Sequence, residues 1–231
     1  MLAVQQLESG YGESVILRDV SLRVGPGQVV CLLGRNGVGK TTLMKSVMGV
    51  LKARRGSISY KGENVTKRTP GYRAKSGIGY VPQGREIFAQ LTVYENLLLG
   101  LEASKSKTTV IPAEAVANFP VLPAMYARRG GDLSGGQQQQ LAFARALASM
   151  PEVLLLDEPC EGIQPSIVED IRDVIRSIKA EGKTEILLAE QSLEFVRSVG
   201  DYFYILEKGS VAWKGGLDEL NEEIVLKYLT V

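Results

Sequence analysis

The chain has 231 residues, 45% hydrophobic and 23% charged, a composition that fits one large or two small globular domains and excludes a disordered chain or a fibre. Its 27 basic and 26 acidic residues leave a net charge of +1, so no overall electrostatic footprint points to nucleic acid or an anionic membrane. Histidine is absent and cysteine occurs only at Cys31 and Cys160, which excludes a histidine-based triad and any His- or Cys-rich metal site and reads both cysteines as reduced packing residues.

Val20, Leu22 and Val24 alternate with polar residues, as in a strand with one wet face. Gly25-Pro26-Gly27 turns the chain, and Val29–Leu33 is a continuous apolar run, as in a strand covered on both faces. A glycine-rich stretch follows, then a helical pattern over 42–48 closed by Gly49. Residues 57–60 and 78–81 read as strands. Residues 86–150 differ, with helical patterns at 91–101 and 137–147, no strong strand, and a polar run at 104–109 that reads as a mobile loop. Apolar strands return at 153–156, 184–189 and 202–206, and Lys208-Gly209 joins the last to 211–213 as a hairpin. Between the first two, Ile167, Ile171, Val174, Ile175 and Ile178 recur at helical spacing.

Strands alternating with helices, and buried on both faces, predict an α/β fold with a parallel sheet. The expected organisation is a single domain, with an α/β core from 1–85 and 151–231 and a helical insertion over 86–150. No apolar run approaches the roughly 18 residues that span a bilayer, and the first residues lack a basic-then-apolar leader. The expected location is therefore cytoplasmic.

The strongest local signal is Gly34-Arg35-Asn36-Gly37-Val38-Gly39-Lys40-Thr41-Thr42, which fits G-x-x-x-x-G-K-[ST] directly after a buried strand and directly before a helix. Glycines let the backbone curl so that N–H groups turn inward toward a phosphate. The helix that starts there adds the positive end of its dipole. Lys40 is placed to reach the β- and γ-phosphates of a nucleotide and Thr41 to put its hydroxyl on Mg²⁺. The second signal is the apolar strand ending in Asp157-Glu158-Pro159. Side chains alternate along a strand, so the two carboxylates are expected to point different ways, Asp157 toward Mg²⁺ and Glu158 toward an attacking water as general base. The third is Leu133-Ser134-Gly135-Gly136-Gln137, in which Ser134 is a candidate N-cap and the glycines leave N–H groups bare at a helix start. One glycine loop has no use for two such termini. A head-to-tail dimer has, if each chain closes its second terminus over the nucleotide of the other.

These three motifs, in this order and across essentially the whole chain, resemble the ATP-binding subunit of an ABC transporter. The resemblance implies a P-loop NTPase fold with a parallel-sheet core, an N-terminal antiparallel β subdomain and the helical insertion. It places Tyr11 against adenine, with stacking worth roughly 1–3 kcal/mol by comparison with nucleic-acid bases. It places Gln83 on Mg²⁺ and its water, as the residue that senses the transmembrane partner. It implies ATP and Mg²⁺ as cofactors, residues 34–42 as the phosphate cradle, and Ser134, Gly135, Gly136 and Gln137 as the cap supplied in trans. The implied partners are a second ATPase subunit, transmembrane permease subunits docked near Gly84 to Gln90 (Ile87 and Phe88 among them), and indirectly a periplasmic substrate-binding protein. The subunit would then sit peripherally on the cytoplasmic face of the membrane.

Two positions depart from the family's usual pattern. Gln191 stands where a histidine usually contacts the γ-phosphate; its amide donates a hydrogen bond but carries no charge. Gln164 closes Glu161-Gly162-Ile163-Gln164 where an aspartate is usual. Together with Gly84-Arg85-Glu86-Ile87 and the spelling around Gly130-Gly131-Asp132, they resemble the importers of branched-chain amino acids and of urea, the urea importer's second ATPase subunit most closely. Two other readings stand beside the motor. One is a soluble ATPase of the same family acting on DNA or ribosomes, against which the single cassette and the absent basic excess argue. The other is a regulatory nucleotide-binding subunit with weak hydrolysis, motivated by Gln191.

Overall fold

The computed structural model describes residues 1–105 and 108–229. Ser106 and Lys107, in the polar run expected to be a loop, and the last two residues of the C-terminal segment lie outside them. The chain opens with a hairpin of β1 (Leu2–Tyr11) and β2 (Ser14–Val24), then β3 (Val29–Leu33) and α1 (Lys40–Met48). Next come β4 (Ala53–Tyr60), β5 (Glu63–Asn64), α2 (Pro70–Ser76) and β6 (Ile78–Val81). Helices α3 (Val93–Leu101), α4 (Ala113–Ala117) and α5 (Gly135–Leu147) follow. The chain then alternates through β7 (Val153–Asp157), α6 (Pro165–Glu181), β8 (Glu185–Ala189), α7 (Leu193–Val199) and β9 (Tyr202–Glu207). It ends in β10 (Ser210–Gly216) and α8 (Glu222–Tyr228).

Among the described residues the strands form two sheets. One is antiparallel, ordered β2-β1-β4-β5; the other is ordered β10-β9-β3-β8-β7-β6, parallel except for β10. Alternation along the central strands sends side chains into two cores. Val29, Cys31 and Leu33 of β3, Leu154 and Leu156 of β7, and Ile186 and Leu188 of β8 face a core shared with α5, α6 and α7. Val30 and Leu32, Val153 and Leu155, and Leu187 and Ala189 face a second core closed by α1 and the antiparallel sheet. Helix α1 is thus wedged between the two sheets through Leu43, Met44 and Val47. Both strand faces being dry explains why β3 and β7 read as unbroken apolar runs.

Local signals set the boundaries. Gly49, Gly77 and Gly182 close α1, α2 and α6 in the left-handed conformation. Thr92 and Glu95 form a capping box on α3, as Ser134 and Gln137 do on α5. The sequence reading missed β1, whose register shifts between Val4 and Leu7 and again before Ser9, around Gln6 at φ 47°. The bulge breaks the alternation that marks a strand. It also missed α2, in which only Arg73 is buried and no apolar stripe exists. Both cysteines are free, Cys31 buried and Cys160 partly so, as packing residues should be.

Candidate functional site

The parallel strands β3, β7 and β8 deliver their C-terminal ends to one side of the sheet, and the loops that leave them meet there. The loop after β3 turns through Gly34, Gly37 and Gly39 at φ 146°, 80° and 114°. Gly39 has a second reason to be glycine, since a Cβ there would stand 2.8 Å from Leu17 Cδ2. Helix α1 starts at Lys40 with no side-chain cap, so its first N–H groups remain for a ligand. An open cleft of about 380 Å³ lies over this start, lined by Tyr11, Asn36, Gly37, Gly39, Lys40, Thr41, Thr42, Gln83 and Glu158.

Lys40 is the hinge of the cleft. Its Nζ donates to the carbonyls of Gly34 (2.8 Å) and Arg35 (3.2 Å) and pairs with Glu158 Oε1 at 3.0 Å. Thr41 Oγ1 lies 3.2 Å from Asp157 Oδ1 and 3.4 Å from Gln83 Oε1, and the Tyr80 hydroxyl donates to Asp157 Oδ2 at 3.2 Å. The Val38 side chain packs against the core under α1. The two acids do have separate partners, but the reason differs from strand alternation. Glu158 has left β7 at φ 48°, and this left-handed step returns its carboxylate to the cleft.

Two amides hold Glu158. Gln83 Nε2 donates to Glu158 Oε2 at 3.1 Å and to Glu161 Oε2 at 2.9 Å. Gln191 Nε2 donates to Glu158 Oε1 at 2.9 Å and to Asn36 Oδ1 at 2.7 Å, joining the loops after β3, β7 and β8. Sequence reasoning missed Glu190. It is 5% exposed and accepts from the backbone N–H groups of Cys160 (3.2 Å), Gln191 (2.8 Å) and Ser192 (3.2 Å). One carboxylate therefore fixes both the loop that carries Glu158 and the loop that carries Gln191. The sequence signal was present, an acid at the end of a doubly buried strand, but it was hidden by the motif position next to it.

Ser134, Gly135, Gly136 and Gln137 do not line this cleft. They line a second one, of about 490 Å³, with Gly162, Ile163, Gln164 and Ile167. The predicted N-cap is in place, with Gln137 N donating to Ser134 Oγ at 3.3 Å and Ser134 N to Gln137 Oε1 at 3.0 Å. Of the expected docking pair, Phe88 is 52% exposed under the Arg145 guanidinium, whereas Ile87 packs against the core.

Thr41 Oγ1, Gln83 Oε1 and Asp157 Oδ1 form an all-oxygen donor set, which suits Mg²⁺. Among the described residues no cluster of three His, Cys, Asp or Glu could hold a metal alone. A cation here would share its remaining positions with water and phosphate oxygens. Burial pushes the Asp157 carboxyl from its ordinary 3.8 up to about 6, against the lowering effect of the Thr41 and Tyr80 hydrogen bonds.

A family model described as ABC transporter matches residues 17–161. The high-affinity branched-chain amino acid transport ATP-binding protein BraG of Pseudomonas aeruginosa is 39% identical over 212 residues, 91% of each chain. The probable branched-chain amino acid transport ATP-binding protein LivF of Archaeoglobus fulgidus is 38% identical over 96% of this chain and 94% of its own. Among solved structures, a nucleotide-free ATP-binding cassette from an ABC transporter superposes with a TM-score of 0.81 at 30% identity, covering 99% of this chain and 94% of its own.

Two outcomes follow from the site's geometry. Asp157 titrates higher when folded, so the folded state binds more protons than the unfolded one between about pH 4 and 6, and ligand-free stability falls as pH rises through that window. Asp157→Asn should therefore raise the ligand-free unfolding free energy at pH 7 by on the order of 3 kcal/mol, a gain that vanishes below pH 4 (roughly the unfolded pKa); chemical denaturation at both pH values measures it. Glu190→Gln faces three N–H donors with only one acceptor oxygen. It should lower kcat by about 10–100-fold while KM for ATP stays within a factor of about three, as steady-state phosphate release will show.

Proposed function

The chain belongs to the ABC transporter family as an ATP-binding, ATP-hydrolysing subunit, and we propose that it is the motor of a solute importer, working as a head-to-tail pair with a second ATPase subunit. The carrying observation is that direct contacts join Lys40, Thr41, Gln83, Asp157, Glu158 and Gln191 into one network at the start of α1.

In this reading Lys40 exchanges the Glu158 carboxylate for the β- and γ-phosphates, and the bare N–H groups at the start of α1 hold the same oxygens. Tyr11, at the rim and 46% exposed, offers its ring to the adenine. Magnesium, held by Thr41, Gln83 and Asp157, would neutralise charge on the phosphates. Glu158, released from Lys40, takes a proton from the attacking water, while Gln83 and Gln191 keep its two oxygens in place. Gln191 supplies a neutral hydrogen bond where a histidine would add charge. The second cleft, at Ser134 to Gln137, closes over the nucleotide of the partner subunit. Residues 84–90, with Phe88 exposed, form the docking segment for the permease. No helix among the described residues is long and apolar enough to cross a membrane, so a membrane position would come through that docking.

The spelling of the motifs favours urea as the solute; the names of the relatives favour branched-chain amino acids. Reconstitution with the permeases, the second ATPase and the binding protein decides between them. Turnover stimulated by urea-loaded binding protein and not by the leucine-loaded form supports urea, and the reverse supports the amino-acid importer. Glu158→Gln should cut turnover by roughly 10²–10⁴-fold with ATP binding intact. With ATP, magnesium and the mate subunit, that variant should elute as a dimer in size-exclusion chromatography; a strictly monomeric elution would sink the head-to-tail arrangement.

A further inference from the structure

At the other end of α1 from the nucleotide loop lies a second concave site of about 490 Å³, lined by Lys52, Arg54, Arg55, Lys67, Arg68 and Arg73 and by no acidic residue. A chain of net charge +1 has no general surplus to spread there. The side chains of Lys52, Arg55 and Lys67 have no hydrogen bond or ion pair among the described residues. Glu8 stands opposite Arg55 in the β1–β4 register but forms no ion pair with it. Arg68 pairs with Glu63 at 2.9 Å, which lies outside the cavity wall.

Arg73 forms part of that wall and is 2% exposed. Its guanidinium donates to the carbonyls of Arg68 (3.2 Å), Ser46 (2.9 Å), Val47 (2.6 Å) and Thr66 (2.9 Å), and no carboxylate meets it. The C-terminal dipole of α1 supplies about half a compensating charge. A buried cation normally has an anion as well.

We propose that this cavity is a regulatory site for a small phosphate-bearing anion of the pyrophosphate class. Uncommitted arginine and lysine heads around a cavity of small-molecule size suit the forked oxygens and the multiple charge of such a ligand. Two connections lead from it to the nucleotide cleft. Arg73 holds the last carbonyls of α1, whose first residues are Lys40 and Thr41. Arg54 donates to the carbonyls of Gly12, Glu13 and Ser14, the turn directly after Tyr11. An anion that draws the Arg54 guanidinium off those carbonyls loosens that turn and lowers nucleotide affinity, and linkage makes the effect mutual.

The test titrates pyrophosphate into the full chain by calorimetry, with the nucleotide loop saturated by a non-hydrolysable ATP analogue and equimolar magnesium. The expected result is one saturable site, weakened at least about tenfold by the triple change Lys52→Ser, Arg55→Ser and Lys67→Ser. Those side chains have no partners to lose and their removal relieves repulsion among the six cations, so the unfolding midpoint of the triple variant should not fall below that of the parent chain. Pyrophosphate should also weaken analogue binding by roughly threefold or more in the parent and leave the triple variant unaffected. Absence of saturable binding up to about 10 mM, or equal binding by the triple variant, overturns the proposal. So does cosedimentation with phosphatidylglycerol vesicles in the absence of pyrophosphate binding, because the anion would then be a lipid headgroup. The readout is binding and not turnover, so its failure leaves the motor reading standing.

Discussion

Lys40 and Glu158 meet at 3.0 Å with side chains almost wholly buried, and the rest of the site is arranged around that pair. Each charge is dry enough that it needs the other, or a substitute for it, in place. In the function proposed above, a nucleotide phosphate would be such a substitute for Lys40. Its arrival would leave the Glu158 carboxylate with only the two amide donors, Gln83 and Gln191, and free to accept a proton. Binding and activation of the proposed base would thereby be one event, and removal of the phosphate would let the pair close again.

The pair depends on how the sheet is built. Residues from the ends of β3, β7 and β8 meet because those strands are neighbours and parallel, and parallel pairing sends all three exits to the same edge. Dry cores on both faces hold the strands in register, and α1, caught between the two sheets, cannot shift without disturbing either. Glu190 then ties two of the exits together through three backbone N–H groups. The loops at this edge of the sheet are thus tied into one piece.

The parts of this plan legible from the amino acids were those with a short-range cause. The apolar runs of β3 and β7, the glycine loop, the acid pair and the Ser134 cap each follow from neighbouring residues alone. The N-terminal strand was not legible, because its bulge at Gln6 erases the alternation. Glu190 was not, because its partners are backbone groups of loops 30 residues and one or two residues away. Ile87 and Phe88 look alike in the sequence, yet one packs against the core and the other is exposed, a distinction set only by packing. The six cations behind α1 are spread over 52–73 and converge only when β4 and α2 fold onto the end of that helix.

Glu158 sits at φ 48°, a backbone region where any side chain beyond hydrogen carries a penalty of about 1–2 kcal/mol. Glycine would adopt that conformation without the penalty, but it would also strip the buried Lys40 ammonium of its counter-ion, and of the two effects that loss is the larger. The strained step in the backbone is thus held in place by the charge it carries to Lys40.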